Sequence, residues 1–285
     1  MLPTECGGCG SGRTALCPQC RTALDGAAPA RVRPTPEPPG LPAVHAATRY
    51  ADEVRAMLLA HKERGALALA RPLGEALAGA VRAGLGEAGV GEGAPPPGAG
   101  VLLVPVPSTP ASVRARGHDP ARRIAFAAAG ELRRAGVSVR VAAVLRQRRA
   151  VADQAGLNSR QRLDNLVGAL VVAPGGARVL SGGPVVLVDD LITTGASLAE
   201  AARAVRAATA AERADAERPY MGWDVGAAVV YARVGREGRE VRPSGAAEGG
   251  AGGSSAGPGG GGRAGEVVCA AVVAAPPDSF AINRN

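Results

Sequence analysis

Aromatic residues are nearly missing from this chain of 285 residues, making up 2% of it. Binding single-stranded nucleic acid by base stacking needs such rings, so their scarcity argues against that platform. A core must instead be built from Ala, Val and Leu. Lysine is scarcer still: Lys62 is the only one, and arginine supplies nearly all the positive charge behind the net +8. Ala, Gly, Pro and Arg are all used heavily together, so the arginine excess points only weakly to an anionic partner. No apolar run approaches the length of a membrane span. The opening MLPTECGGCG has neither the basic start nor the apolar stretch of a secretory signal. A cytoplasmic protein with no membrane partner is expected. Apolar residues make up 46% of the chain, enough for one large domain or two small ones.

Four of the five cysteines, Cys6, Cys9, Cys17 and Cys20, fall in the first twenty residues as two Cys-x-x-Cys pairs. A reducing compartment disfavours disulfides between them. Tetrahedral Zn2+ suits two such pairs, because each places two thiolates on one ion. A structural Zn2+ knuckle over residues 1–26 is the expectation. Cys269 stands alone in an apolar run and reads as a small core residue.

Residues 27–44 are rich in proline and read as a linker. From Tyr50 to about Gly84 apolar residues recur at helical spacing, with breaks near Gly65 and Pro72. VLLVPVPS reads as a strand that stops in a tight loop, and a helix is predicted over Pro120 to Ala135. VSVRVAAVL then reads as a strand, Arg160 to Leu166 as helical, PVVLVDD as a fully apolar strand, and Ser197 to Thr209 as an Ala-rich helix. DVGAAVVYARV and EVVCAAVVAAP are further strand candidates, and residues 237–265 between them read as a disordered Gly/Ser-rich insertion. Strands alternating with helices predict an α/β fold, a mainly parallel sheet flanked by helices. In such sheets ligands bind beyond the carboxyl ends of the strands.

One of those ends carries VVLVDDLITTGAS, Val185 to Ser197. Neither a Walker A loop nor a dinucleotide-binding glycine fingerprint is present. Instead Thr193, Thr194 and Ser197 offer hydroxyls, Gly195 and Ala196 let backbone N–H groups approach an anion, and the following helix adds its positive end. That loop suits a phosphate monoester. Asp189 and Asp190 would repel the phosphate itself, so they are placed for the paired hydroxyls of a ribose about one sugar away.

This stretch resembles the phosphoribosyl pyrophosphate motif of type I phosphoribosyltransferases. The chain as a whole resembles the ComF family, associated with competence and DNA uptake, which joins an N-terminal cysteine knuckle to a phosphoribosyltransferase domain. LLVPVPSTPASVRARGHDPA and QAGLNSRQRLDNLVGAL resemble further elements of that family. The resemblance implies a type I phosphoribosyltransferase-like domain over residues 45–236, completed by a strand and tail over 266–285. It implies that Asp189 and Asp190 hold the ribose, and that Thr193, Thr194, Gly195, Ala196 and Ser197 hold its 5′-phosphate. The turn at Val104 to Ser108 becomes the pyrophosphate loop, with Val106 and Ser108 as its N–H donors because Pro105 and Pro107 have none. Lys62, Arg116 and Arg162 match cationic family positions, and Arg146 to Asn165 becomes a lid over pyrophosphate. Mg2+ would arrive with the substrate.

The chain departs from the family at Gly117-His118-Asp119-Pro120, where an aromatic and an amide pair are common, at Leu170 in place of Phe, and at Ser197 in place of Thr. His118 is either a general base or a polar surface residue. The implied function is transfer of a phosphoribosyl group to an unknown small acceptor. The alternatives are a non-catalytic sensor of phosphoribosyl pyrophosphate or a nucleotide, and a DNA-uptake accessory docking DNA or a helicase partner. On the two-module reading, Cys9→Ser should lower zinc content and leave ribose-phosphate binding largely intact.

Overall fold

The structure, a computed structural model, describes residues 5–90, 100–149, 166–217 and 264–280. Helix α1 (Pro18–Asp25) lies among the paired cysteines and is followed by β1 (Ala30–Val32), β2 (Val44–Arg49) and α2 (Asp52–Glu63). A 3-10 turn at Leu67–Leu69 leads into α3 (Ala70–Glu87). Next come β3 (Val101–Pro105), α4 (Pro110–Arg116), α5 (Pro120–Arg134), β4 (Val139–Val141) and β5 (Leu145–Gln147). The remaining elements are β6 (Leu170–Val172), α6 (Gly176–Leu180), β7 (Val185–Leu191), α7 (Ala196–Ala216) and β8 (Val267–Ala275).

Six strands make one sheet in the order β1-β2-β8-β7-β3-β4. Every pair in it is parallel except β1 with β2. β5 and β6 form a separate antiparallel ribbon. The expected α/β architecture, a mainly parallel sheet between helices, is therefore present. Along β7, Val186 and Val188 pack into one apolar cluster, and Val185 and Leu187 into the other. The first cluster takes in Leu24 of α1, Met57 of α2, Leu73 and Leu77 of α3, and Ile124 of α5; the second takes in Leu198 and Val205 of α7. Strands covered on both faces read as unbroken apolar runs, which is why PVVLVDD and EVVCAAVVAAP stood out. Small residues set the spacing. A Cβ on Gly74 would lie 2.4 Å from the Ala127 Cβ, so α3 and α5 meet almost backbone to backbone. This is how the chain closes its core with few rings to fill it.

Several sequence expectations are corrected. Residues 27–44 are not simply a linker: they contain β1, paired with β2 in the register Ala30↔Ala46. VSVRVAAVL is not one strand. It divides into β4 in the main sheet and β5 in the ribbon. Pro72 does not break a helix, because it lies in the first turn of α3, where its missing N–H forfeits no intrahelical bond. The break falls at Gly65 alone. DVGAAVVYARV lies outside the described residues. So does most of the expected 160–166 helix and, save Ala264 and Gly265, the expected insertion. Among the described residues no helix is long and apolar enough to cross a membrane.

The ribbon is held to α7 by Glu200, which is 5% exposed. Its Oε1 accepts the Leu170 amide at 3.0 Å, and Arg203 donates to both carboxylate oxygens and to the Leu170 carbonyl. Glu200→Ala would leave the Leu170 amide without its acceptor, at a cost of about 1–3 kcal/mol. Thermal melting should show a fall of several degrees. An unchanged melting temperature would mean the ribbon is held by apolar packing alone.

Candidate functional site

β3 and β7 run side by side and end at the same edge of the sheet, with Pro105 opposite Val188. Beyond that register come Asp189 and Asp190. The Asp190 amide donates to Asp189 Oδ1 at 2.8 Å, folding the first carboxylate back on the strand end. Lys62, in the last turn of α2, reaches the same point from 128 residues away: its Nζ lies 3.0 Å from Asp190 Oδ2 and 3.4 Å from Oδ1. Burial works against the charge on Lys62, but Asp190 and Asp189 outweigh it and hold its pKa above the ordinary value. Burial and the charge of Asp190 push the Asp189 carboxyl well above the usual carboxylate range.

This has a measurable consequence. A carboxyl raised in the folded state adds stability at low pH and loses it as pH rises through the raised value. From about pH 4, the ordinary aspartate value, toward that raised value, Asp189 therefore makes unfolding progressively easier. Asp189→Asn removes this contribution. Glu75, Glu87 and Glu200, whose pKa values are lowered, pull the other way at acid pH, so the comparison must be between variant and wild type. The stability of Asp189→Asn relative to wild type should climb with pH, measured by denaturant unfolding across that range. A flat difference would refute the raised carboxyl.

The chain turns from β7 into α7 through Ile192 to Gly195. The Ile192 amide bonds the Ala274 carbonyl of β8, which fixes the start of the turn. Gly195 takes a φ of +76°, a conformation suited to glycine, and a Cβ there would lie 3.1 Å from Leu41 and 3.2 Å from Pro34. The segment after β1 thus backs the loop. Thr193 is exposed, and Thr194 and Ser197 are half-buried. α7 starts at Ala196, so the first amides of a 21-residue helix face this turn without intrahelical partners.

At the end of β3 the arrangement differs from expectation. The Val106 amide donates to the Val188 carbonyl at 2.9 Å, continuing the ladder with β7. The Ser108 amide donates to Asp119 Oδ2 at 3.1 Å, while Asp119 Oδ1 caps α5 through the Arg122 amide at 3.0 Å. Both expected pyrophosphate donors are thus engaged within the chain. Arg116 lies where α4 ends and grips Glu63, with Nη2 2.8 Å from Oε1 and Nε 3.0 Å from Oε2. His118 is 8% exposed, with both ring nitrogens against backbone carbonyls, so it is not a surface residue.

The structure therefore brings together Asp189, Asp190, Lys62 and, one residue along α2 through Glu63, Arg116. Arg162 and most of the expected lid lie outside the described residues. Glu63 and His61 escaped the sequence reading, and Asp119 was noted there only as a departure from the family. Only the adjacency of His61 and Glu63 to Lys62, and of Asp119 to a helix-starting proline, could have flagged their roles. A cavity of about 600 Å3 beside α7, lined by Val167, Glu200 and Arg203, includes none of the site residues.

The four N-terminal cysteine sulfurs lie within 4.8 Å of one another, those of Cys9 and Cys17 3.6 Å apart. Zinc–sulfur bonds of about 2.3 Å in a tetrahedron separate sulfurs by about 3.8 Å, so the set could hold a metal such as zinc. Burial opposes charge on Cys6, but the Cys17, Cys9 and Gly8 amides outweigh it and bring its pKa down to about 6. Thiolate is the form a metal takes. Exposed Cys9 is lowered as well, chiefly through Ser11. Cys20 is raised by burial and by the three sulfurs around it. Cys269 is buried in the core. The chain matches no family model, no curated protein and no solved structure.

Proposed function

We propose that the chain is a phosphoribosyltransferase of the ComF type, with a type I phosphoribosyltransferase fold, that binds phosphoribosyl pyrophosphate with Mg2+. The observation that supports this best is the meeting of Lys62 with Asp190 at a strand end whose next turn opens a long helix. A cation, two acids and a helix N-terminus in that order match a ligand carrying a leaving anion, a diol and a phosphate. Asp189 and Asp190 accept the ribose hydroxyls, and Thr193 to Ser197 with the α7 amides hold the 5′-phosphate. Lys62 and Arg116 turn from their carboxylate partners to the pyrophosphate. In the reaction the C1–O bond breaks with its electron pair leaving on pyrophosphate, and a lone pair of the acceptor forms the new bond. Mg2+, bound mainly to substrate oxygens, would neutralise charge on the leaving group. The knuckle metal, proposed as zinc, is structural.

A second reading is favoured by one observation. The Val106 and Ser108 amides are already taken, and both ring nitrogens of His118 face backbone carbonyls rather than the acids of the site. A binder that senses the ribose phosphate without releasing pyrophosphate would need neither. Calorimetric titration of phosphoribosyl pyrophosphate, with and without Mg2+, tests both readings. Micromolar Mg2+-dependent binding that is lost in the Asp189→Ala/Asp190→Ala double variant supports the site, and pyrophosphate release with a panel of amines and bases then separates enzyme from sensor. No binding under either condition sinks both. DNA binding with a steep salt dependence, indifferent to Asp190, would point instead to the DNA-uptake accessory role.

A further inference from the structure

Among the described residues the two cations of the site come from different helices, and each lies where its helix stops. Lys62 is in the last turn of α2, and Arg116 is the final residue of α4. Helix ends leave carbonyls without amide partners. One imidazole faces both ends. His118 Nε2 lies 3.1 Å from the carbonyl oxygen of His61, the residue before Lys62, and Nδ1 lies 3.2 Å from the carbonyl oxygen of Arg116. The His118 ring also packs on that of His61, with centroids 5.5 Å apart and a 60° tilt. A carbonyl oxygen only accepts, so the bond across to α2 needs a proton on Nε2, which a neutral ring can supply. The same neutral ring then has no proton on Nδ1 for the Arg116 carbonyl, so that contact is a close approach within its own loop. The bond to His61 crosses to α2, beside the Arg116–Glu63 pair.

We propose that His118 is a positioning residue: by capping α2 through the His61 carbonyl it sets Lys62 against Asp190 and in register with Arg116. The Ala60 carbonyl keeps the Arg64 and Ala66 amides, but without the bond from His118 the residues beyond it loosen before the Gly65 break, and Lys62 leaves Asp190 for water. Arg116 on Glu63 alone is a looser tie, because the Glu63 side chain is 47% exposed. The purpose of this positioning rests on the ribose-phosphate reading above. Its test does not.

Lys62 is the only lysine, so acylation by an amine-reactive reagent, followed on the Lys62 peptide by mass spectrometry, reports on this one ion pair. Asp190→Asn supplies the rate of a released Lys62. In His118→Gln the side-chain amide can stand where Nε2 stands and keep the bond to His61. In His118→Asn the shorter amide reaches only the Arg116 carbonyl, and His118→Leu has no donor. Labelling is compared below the melting temperature of each variant. Acylation should run several-fold faster in the Asn and Leu variants, toward the Asp190→Asn rate, and stay near wild type in the Gln variant. Equal acceleration in all three overturns the proposal, because the cross-helix bond then does not position Lys62. So does no acceleration in any. Should the leucine variant fail to fold, the Asn and Gln pair alone decides. A chain that shows this pattern but binds no phosphoribosyl pyrophosphate keeps the positioning role and loses the ribose-phosphate reading.

Discussion

Asp190→Asn should abolish binding of phosphoribosyl pyrophosphate while leaving the fold as stable as wild type, or more so. Two adjacent carboxylates at a buried strand end repel each other, and the pKa of Asp189 is raised by burial first and by that repulsion second. An amide at position 190 removes it and still fills the space. Lys62 loses a partner, but its side chain is 36% exposed and water can take the place of the carboxylate. Lys62→Met works in the opposite direction. Asp190 is 5% exposed, and among the described residues Lys62 is its ion-pair partner, so Lys62→Met leaves that buried charge without it. Breaking a fully buried pair costs roughly 3–5 kcal/mol; with one partner partly in water, about 1–3 kcal/mol is expected. At about 2–4 °C per kcal/mol, thermal melts at neutral pH should separate the two variants clearly. Calorimetry should find the ligand lost in both. If Asp190→Asn melted well below wild type, the pair would be a structural tie rather than a strained site held for function.

Stripping the zinc proposed for the cysteine cluster should weaken the proposed ribose-phosphate binding at the far end of α2 by more than about tenfold, or ~1.4 kcal/mol. The sequence suggests a separable knuckle, so that Cys9→Ser would spare the ribose-phosphate site. The packing leads to the opposite expectation. Cys6, Cys17, Cys20 and Leu24 share one apolar cluster with Val54, Met57 and Leu58 of α2 and with Leu69 and Leu73 beyond it. A Cβ on Gly8 would meet Glu53 at 3.3 Å, and one on Gly7 would meet Leu69 at 2.5 Å, so the knuckle touches the chain on both sides of Lys62. Arg21 donates to Glu75 at 3.0 Å and Thr48 to the Ala23 carbonyl at 3.2 Å, which tie α1 to α3 and β2. Metal binding in such cysteine sites contributes directly to folding free energy. Chelator titration, monitored by thermal melting and then by calorimetry, should show a lower melting temperature and weaker binding together. A chelated protein that keeps both would restore the two-module view.

What the sequence made legible follows from burial and local rules. β7 and β8 announced themselves because strands covered on both faces need apolar residues at every position. α5 was readable from Pro120 and its periodicity, and the cysteine pairs from their spacing. β1, β2 and β6 were not, since three to six residues of mixed type take their strand state from partners far away in sequence. At the site, Asp189, Asp190 and the turn after them form one continuous motif and were found together. That Lys62 would fall on Asp190 was not visible, because the contact joins residues 128 apart and neither residue encodes the other. The Val106 and Ser108 amides misled for a related reason. A sequence shows which N–H groups exist, and only the fold shows that Val188 and Asp119 already hold them.

The place of β8 bears on how the protein is made. It lies between β2 and β7, and it is translated after every other described strand. Until residues 267–275 leave the ribosome, β1-β2 and β7-β3-β4 share no border, and each exposes a row of unpaired backbone groups. At synthesis rates of about 5–20 residues per second, the stretch from α7 to β8 holds the nascent chain in that open condition for seconds. A chain halted before Val267 would not be a smaller version of this protein. Its described strands would fall into two groups, β1-β2 and β7-β3-β4, each with an edge that β8 would otherwise cover.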